Sequence, residues 1–191
     1  MKLVELAEES GISSEKVLKF QRTMALKMDF RMLAVQKVLT NKGKGTRGTD
    51  NILIESDKDK WMTVEWLKTV ILNPKSYEAK PVKRVYIPKP NGKKRPLGIP
   101  TMNDRCLQAL INLTLEPLIE MTSDRHSYGF RKYRSTKMAL GALRVNLRSD
   151  EGFYDKYALD ADIKGFFDNI SHQWLMDNVP LEVTLKPILA A

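Results

Sequence analysis

The sequence predicts an α+β fold, a mostly helical N-terminal part with sheet pieces entering later. Three observations carry this. Apolar residues recur every three or four positions over long stretches, an Asn-Gly turn at Asn91-Gly92 separates two short apolar runs, and the run from Tyr157 to Asp162 has strand character near the C-terminus.

From Ser13 to about Leu39 the residues Val17, Met24, Met28, Met32, Val35 and Leu39 mark one long amphipathic helix capped by Ser13. Its other face is basic, with Lys16, Lys19, Arg22, Lys27, Arg31 and Lys37. Residues 1–12 form a short first helix or a frayed lead-in. The stretch Asn41 to Asp50 then interrupts the helix with Gly43, Gly45 and Gly48 among Lys42, Lys44 and Arg47. Such a loop packs no core, and its cations and open amides suit phosphates. A helix follows from about Lys58 to Leu72, with Trp61, Val64, Leu67 and Ile71 on one face and Asn73-Pro74 as its stop.

Val82–Ile87 and Arg95–Ile99 read as the strands of a hairpin, confined by their prolines to an edge. Between Lys80 and Asn103 stand Lys80, Lys83, Arg84, Lys89, Lys93, Lys94 and Arg95, with no acid to offset them. A projecting hairpin of that charge is an anion-gripping finger. Thr101 to Glu120 resumes the helical pattern, with Leu107, Leu110, Ile111, Thr114 and Leu118 inward and Pro117 near its end. Next, Ser127 to Thr136 alternates aromatic and basic residues, and Ser135 caps a helix to about Arg148. Rings for base faces and guanidinium groups for phosphates are what single-stranded nucleic acid needs, so Arg131 and Arg134 join the candidate RNA contacts. Glu151-Gly152 turns the chain into the strand ending at Asp162, and a short helix closes the pattern near Gln173 to Asn178.

The formal net charge of +9 favours a polyanionic partner. No apolar stretch is long enough for a membrane span and no apolar leader precedes the first helix. The expected setting is solution, in a bacterial cytoplasm or an organelle matrix, without secretion. The single cysteine, Cys106, sits among Leu107, Leu110 and Ile111 at helical spacing, as a small buried hydrophobe does.

Four blocks, in order, resemble the reverse transcriptases encoded by group II introns, also called maturases. Asn41-Lys42-Gly43 with Thr46, Gly48 and Asp50 resembles their N-terminal extension. Pro88 to Pro100 resembles the first fingers block, and Tyr128-Gly129-Phe130-Arg131 with Arg134-Ser135 the second. Asp162 to Ile170 with His172 resembles the third, which carries the first catalytic aspartate. Lys132-Tyr133 stands where the family usually has Pro-Gly.

The resemblance implies three regions: residues 1–55 as a helical extension with a basic loop, 56–150 as fingers, and 151–191 as the start of a palm. It implies that Asp162 ligates Mg2+ with help from the Ile163 carbonyl, that Lys89 and Arg95 hold the incoming triphosphate, and that Phe167 lies under the deoxyribose beside Gly165. Lys42, Lys44, Arg47, Lys93 and Lys94 would grip template or intron RNA. The family's later palm blocks bring an Asp-Asp turn, and this sequence has no Asp-Asp pair. Mg2+ chemistry is therefore expected only if the rest of the palm completes the site, from the same polypeptide or a second one.

Overall fold

A computed structural model describes residues 2–90, 92–148 and 157–190. Helices α1 (Lys2–Ser10), α2 (Glu15–Leu26), α3 (Met28–Thr40) and α4 (Asp57–Leu72) precede a hairpin of β1 (Lys83–Pro88) and β2 (Lys94–Ile99). Then come α5 (Met102–Thr122), α6 (Thr136–Leu147), α7 (His172–Asn178) and α8 (Pro187–Ala190). The α+β class holds. No helix among the described residues is long and apolar enough to cross a membrane.

The long helix expected from Ser13 to Leu39 is two helices. Lys27 is extended, at φ −66° and ψ 137°, and its N–H donates to the Met24 carbonyl to close α2. Ser14, rather than Ser13, supplies the cap by accepting from the Val17 N–H. One extended residue rotates everything after it. The buried stripe of α2 is Val17, Gln21, Met24 and Ala25, whereas that of α3 is Arg31, Ala34, Val35 and Val38. Met28 and Met32, inward on a continuous helix, are left nearly half exposed. Arg31 is correspondingly removed from the expected basic face: it is buried and donates to the Val64 carbonyl at 2.6 Å and to Glu65 at 3.3 Å.

Helix α4 starts on a reciprocal cap in which Ser56 accepts from the Asp59 N–H while the Asp59 carboxylate accepts from the Ser56 N–H. Val64, Leu67 and Ile71 face inward as expected, but Trp61 is half exposed on the helix flank. The central element is α5. Its stripe of Met102, Cys106, Leu107, Leu110, Ile111, Thr114 and Leu118 is buried against α2, α3 and α4. Burial pushes the Cys106 thiol up to about 12, opposed by the Arg105 charge, so the side chain packs as an inert hydrophobe.

The core continues across residue 55, because Ala34, Val35 and Val38 pack with Ile54, Val64 and Leu67 in one cluster. Leu181 and Leu185 from the C-terminal segment complete it. They are fixed there by Gln21, a polar residue in an otherwise apolar stripe. Its amide nitrogen donates to the Pro180 carbonyl at 2.8 Å and its oxygen accepts from the Glu182 N–H at 3.2 Å. A buried amide in this position is favourable only because its partners are met.

Replacing Gln21 by Ala leaves those backbone groups unpaired inside the protein. The expected outcome is a loss of about 2–3 kcal/mol in urea unfolding, with faster amide exchange at residues 179–185 than elsewhere.

Candidate nucleic-acid interface

Strands β1 and β2 pair antiparallel, with Val85 opposite Leu97, Ile87 opposite Arg95 and Pro88 opposite Lys94. The Lys89 N–H donates to the Lys93 carbonyl at 2.7 Å and extends the ladder past the strand ends, while Asn91 in the turn lies outside the described residues. Side chains alternate along a strand. Lys89, Lys93 and Arg95 therefore share one face with Ile87 and Leu97, and Lys94 lies on the other with Tyr86. Every hairpin residue except Val85 and Ile99 is exposed, so the hairpin projects from the helices with both faces in solvent. An isolated two-stranded hairpin is marginal in water, so its base must be held.

The basic loop holds it. The Thr49 hydroxyl donates to the Pro81 carbonyl at 2.8 Å, and Lys80 pairs with Asp50 at 3.6 Å. Gly48 lies so close to the turn before α5 that a Cβ there would stand 2.8 Å from the Thr101 Cα. Arg105 clamps the arrangement through all three guanidinium nitrogens, donating to the carbonyls of Pro100 at 2.9 Å, Gly43 at 3.1 Å and Thr46 at 2.6 Å. Lys42 and Lys44, in the short 3-10 turn Lys42–Gly45, are thereby exposed on a loop whose backbone is fixed. Arg47 is exposed and donates to the Asn51 carbonyl at 2.7 Å. Arg105 escaped the sequence reading because a helical Arg carries no local sign that it will meet carbonyls some 60 residues away.

Arg131, expected at RNA, is instead the tie of its loop. Its side chain keeps 10% of its surface and makes a two-point bond to Glu120 on α5, at 2.9 and 2.6 Å, while donating to the carbonyls of Asp124 and Ser127. Four of the five N–H donors of that guanidinium are thereby engaged within the protein. The loop it secures carries Arg134 above the Tyr128 ring at 5.9 Å, with Phe130 fully exposed rather than pinned to the core. Tyr133 has φ 61°, the left-handed region, at the position where the family usually has Gly. Ser135 then caps α6 as expected, by accepting from the Met138 N–H.

The strand expected to end at Asp162 is not formed. Residues 157–163 have no regular secondary structure, and no strand among the described residues pairs with them; the strand's start and the Glu151-Gly152 turn lie outside the described residues. A strand needs a neighbour to receive its N–H and C=O groups, and neither β1 nor β2 offers its open edge to this segment. The following turn is self-contained. Gly165 takes φ 61°, which a side chain would oppose, and its carbonyl accepts from the Asp168 N–H and from the Asn169 amide at 2.8 Å. Phe167 stays 76% exposed, its ring edge-on to Phe166 at 5.3 Å. Asp162, Ile163 and Phe167 make no hydrogen bond to the hairpin that carries Lys89 and Arg95.

No group of three or more His, Cys, Asp or Glu side chains converges among the described residues. Asp162 with the Ile163 carbonyl is thus too small a donor set for the two-metal site expected of a completed palm.

The profile of the reverse transcriptase (RNA-dependent DNA polymerase) family matches residues 87–187, from the end of β1 to the start of α8. The chain belongs to that family. Within it the group II intron type is supported by relatives: 161 residues are 35% identical to the group II intron-encoded protein LtrA of Lactococcus lactis subsp. cremoris, covering 83% of this chain and 25% of that protein. Protein YkfC of Escherichia coli (strain K12) is 31% identical over 172 residues, 87% of this chain and 44% of YkfC. The putative COX1/OXI3 intron 1 protein of Saccharomyces cerevisiae is 30% identical over 161 residues, 83% of this chain and 18% of that protein. The chain thus spans less than half the length of each of these relatives.

Two outcomes follow from the clamps. In Gly48→Ala the new methyl meets backbone that cannot yield, and a loss of about 1–3 kcal/mol in urea unfolding is expected. The second concerns Glu120, whose carboxyl is held below the usual range chiefly by hydrogen bonds from Arg131, with burial opposing and the Arg131 charge adding. A depressed folded value stabilises above the ordinary carboxylate pKa of about 4.3 and is lost as pH falls through the folded value. Amide protection across residues 124–134 should therefore drop below about pH 4, whereas Glu120→Gln should show weaker protection without that acid step.

Proposed function

We propose that this chain is the RNA-gripping portion of a group II intron reverse transcriptase and maturase. In this reading residues 1–55 are the N-terminal extension, 56–150 the fingers and 151–191 the start of the palm, acting on intron or template RNA and not polymerising alone. The observation that carries it is the hairpin: Lys89 and Arg95 on one face and Lys94 on the other, none in an ion pair among the described residues, beside a basic loop locked in place by Arg105. Cations on fixed backbone bind phosphates without the cost of ordering a loop.

When the palm is complete, Lys89 and Arg95 take the incoming triphosphate, the first as a point charge and the second through its planar fork. Phe167 and Gly165 form the floor under the sugar, and Asp162 with the Ile163 carbonyl contributes one share of a Mg2+ site. The remaining share comes from palm sequence outside this chain, in the same polypeptide or a separate one, in a bacterial cytoplasm or an organelle matrix. Helix α6 favours such a partner, since Met138, Leu140, Leu143, Val145 and Leu147 are exposed and none of its residues is buried. A second reading, a structural RNA or splicing component of a ribonucleoprotein, is favoured by the absence, among the described residues, of any group of three or more His, Cys, Asp or Glu side chains to complete a metal site around Asp162.

The test is RNA binding as a function of salt, paired with primer extension. The chain should bind single-stranded RNA with a steep salt dependence, and Lys89→Ala/Lys94→Ala/Arg95→Ala should lower the log–log slope by about 2, while Asp162→Ala leaves binding unchanged. With Mg2+, primer extension should be absent until palm and thumb sequence is added, and Asp162→Ala should then abolish it. Synthesis of cDNA by the chain alone would sink the first reading; splicing support insensitive to Asp162→Ala would favour the second.

A further inference from the structure

A groove of about 630 Å³ lies between the C-terminal end of α3, the turn Lys42–Gly45 and the outer face of α5. From α5 it is lined by Arg105, Gln108, Ala109 and Asn112, spaced three, four and seven apart, which places them on one face of the helix opposite the buried stripe. Lys37, Val38 and Asn41 of α3 form the facing wall.

The polar groups of this groove are unlike those of the hairpin. Three carboxamides, Asn41, Gln108 and Asn112, converge there, and none of their side chains makes a hydrogen bond to the protein. No acid lines the groove, while Lys37 and Arg105 bring positive charge. Arg105 is held by three carbonyls, so it fixes the wall and brings its charge to a set position. Val38 and Ala109 add apolar surface. A carboxamide presents one donor and one acceptor side by side, which is the pattern needed to read the edge of a base, and adenine above all offers the matching N6 donor with an adjacent ring acceptor. The volume lies in the range of ligand-sized sites.

We propose that this groove holds one unpaired adenine of a bound RNA strand, read by Gln108 and Asn112 with Asn41 at its rim and with the flanking phosphate toward Lys37. The inference rests on the RNA-binding reading above and adds a sequence-sensing site to an otherwise electrostatic grip. Phosphate contacts on the hairpin and basic loop set position, and the groove supplies discrimination.

The test is fluorescence anisotropy of the whole chain with labelled A10, U10 and C10 oligoribonucleotides and an abasic ribose-phosphate decamer. Gln108→Ala/Asn112→Ala alters two exposed positions to a strong helix former, so circular dichroism should be unchanged. A10 should bind the unaltered chain tighter than U10, C10 or the abasic strand by about tenfold. The double variant should lose that preference, yet keep the abasic affinity and salt slope. Lys37→Ala should weaken all four probes alike and lower the salt slope by about 0.7. The proposal is overturned if the double variant still prefers A10, if the unaltered chain binds all bases equally, or if the double variant weakens the abasic strand as much as A10. Failure of the unaltered chain to bind any probe would overturn the RNA-binding reading as well.

Discussion

Helix α5 is the constraint on which the exposed features depend. Its inward stripe from Met102 to Leu118 fixes its axis in the core, and each functional surface is tied to a residue on its remaining circumference. Arg105, in the second turn, holds the basic loop through three carbonyls. Thr101 caps the helix through the Asp104 N–H, and Asp104 in turn receives the hydroxyls of Thr101 at 2.6 Å and Tyr77 at 2.8 Å, tying the hairpin's approach to the same turn. Burial first, and that bond to Asp104 second, raise the Tyr77 phenol above its ordinary value, so it serves as a neutral donor. Glu120, in the last turn, anchors the aromatic loop through Arg131. One buried helix thereby sets the relative placement of three otherwise separate loops.

That arrangement divides the basic residues into two kinds. Arg31, Arg105 and Arg131 are used internally, each donating to backbone carbonyls, and the latter two leave no guanidinium nitrogen unengaged. Arginine suits this work because its planar fork serves several acceptors at once. The lysines of the loop and hairpin remain outward, each a compact charge on a flexible stem at the surface. Sequence position alone does not separate the two kinds, so the tie of Arg131 to Glu120 was not legible in it.

Most helices, the Ser135 cap and the hairpin were legible because their signals are local: Ser135 before α6, Asn73-Pro74 after α4 and the Asn-Gly turn each act within a few residues. The kink at Lys27 was not, since nothing in Ala25-Leu26-Lys27-Met28 breaks a helix, and what selects the break is the packing of α3 along α4 and α5. Gln21 was partly legible, as a polar residue at an inward position between Val17 and Met24, but its partners at Pro180 and Glu182 lie far along the chain. The candidate site was legible as blocks of residues and not as geometry. The hairpin's register places Lys89 and Arg95 on one face, while no strand pairing among the described residues joins the Asp162 block to them.

That separation has a physical origin. An aspartate at a strand end can ligate a metal with the required precision only if the strand is itself held, because site geometry must be kept within about 0.5 Å. Tyr157 to Ile163 has strand composition but no neighbour to take its backbone groups, and Tyr157, Leu159, Ile163 and Phe167 stand exposed along the same stretch. Helix α6 is in the same condition, apolar yet unburied. Among the described residues neither stretch has a partner layer: no strand pairs with the Asp162 segment, and no residue of α6 is buried. The hairpin, loop and α5 groove need no such partner, being fixed by the helical core. The order of the basic surface thus rests on contacts already made within the described residues, whereas the Asp162 segment has no such support among them.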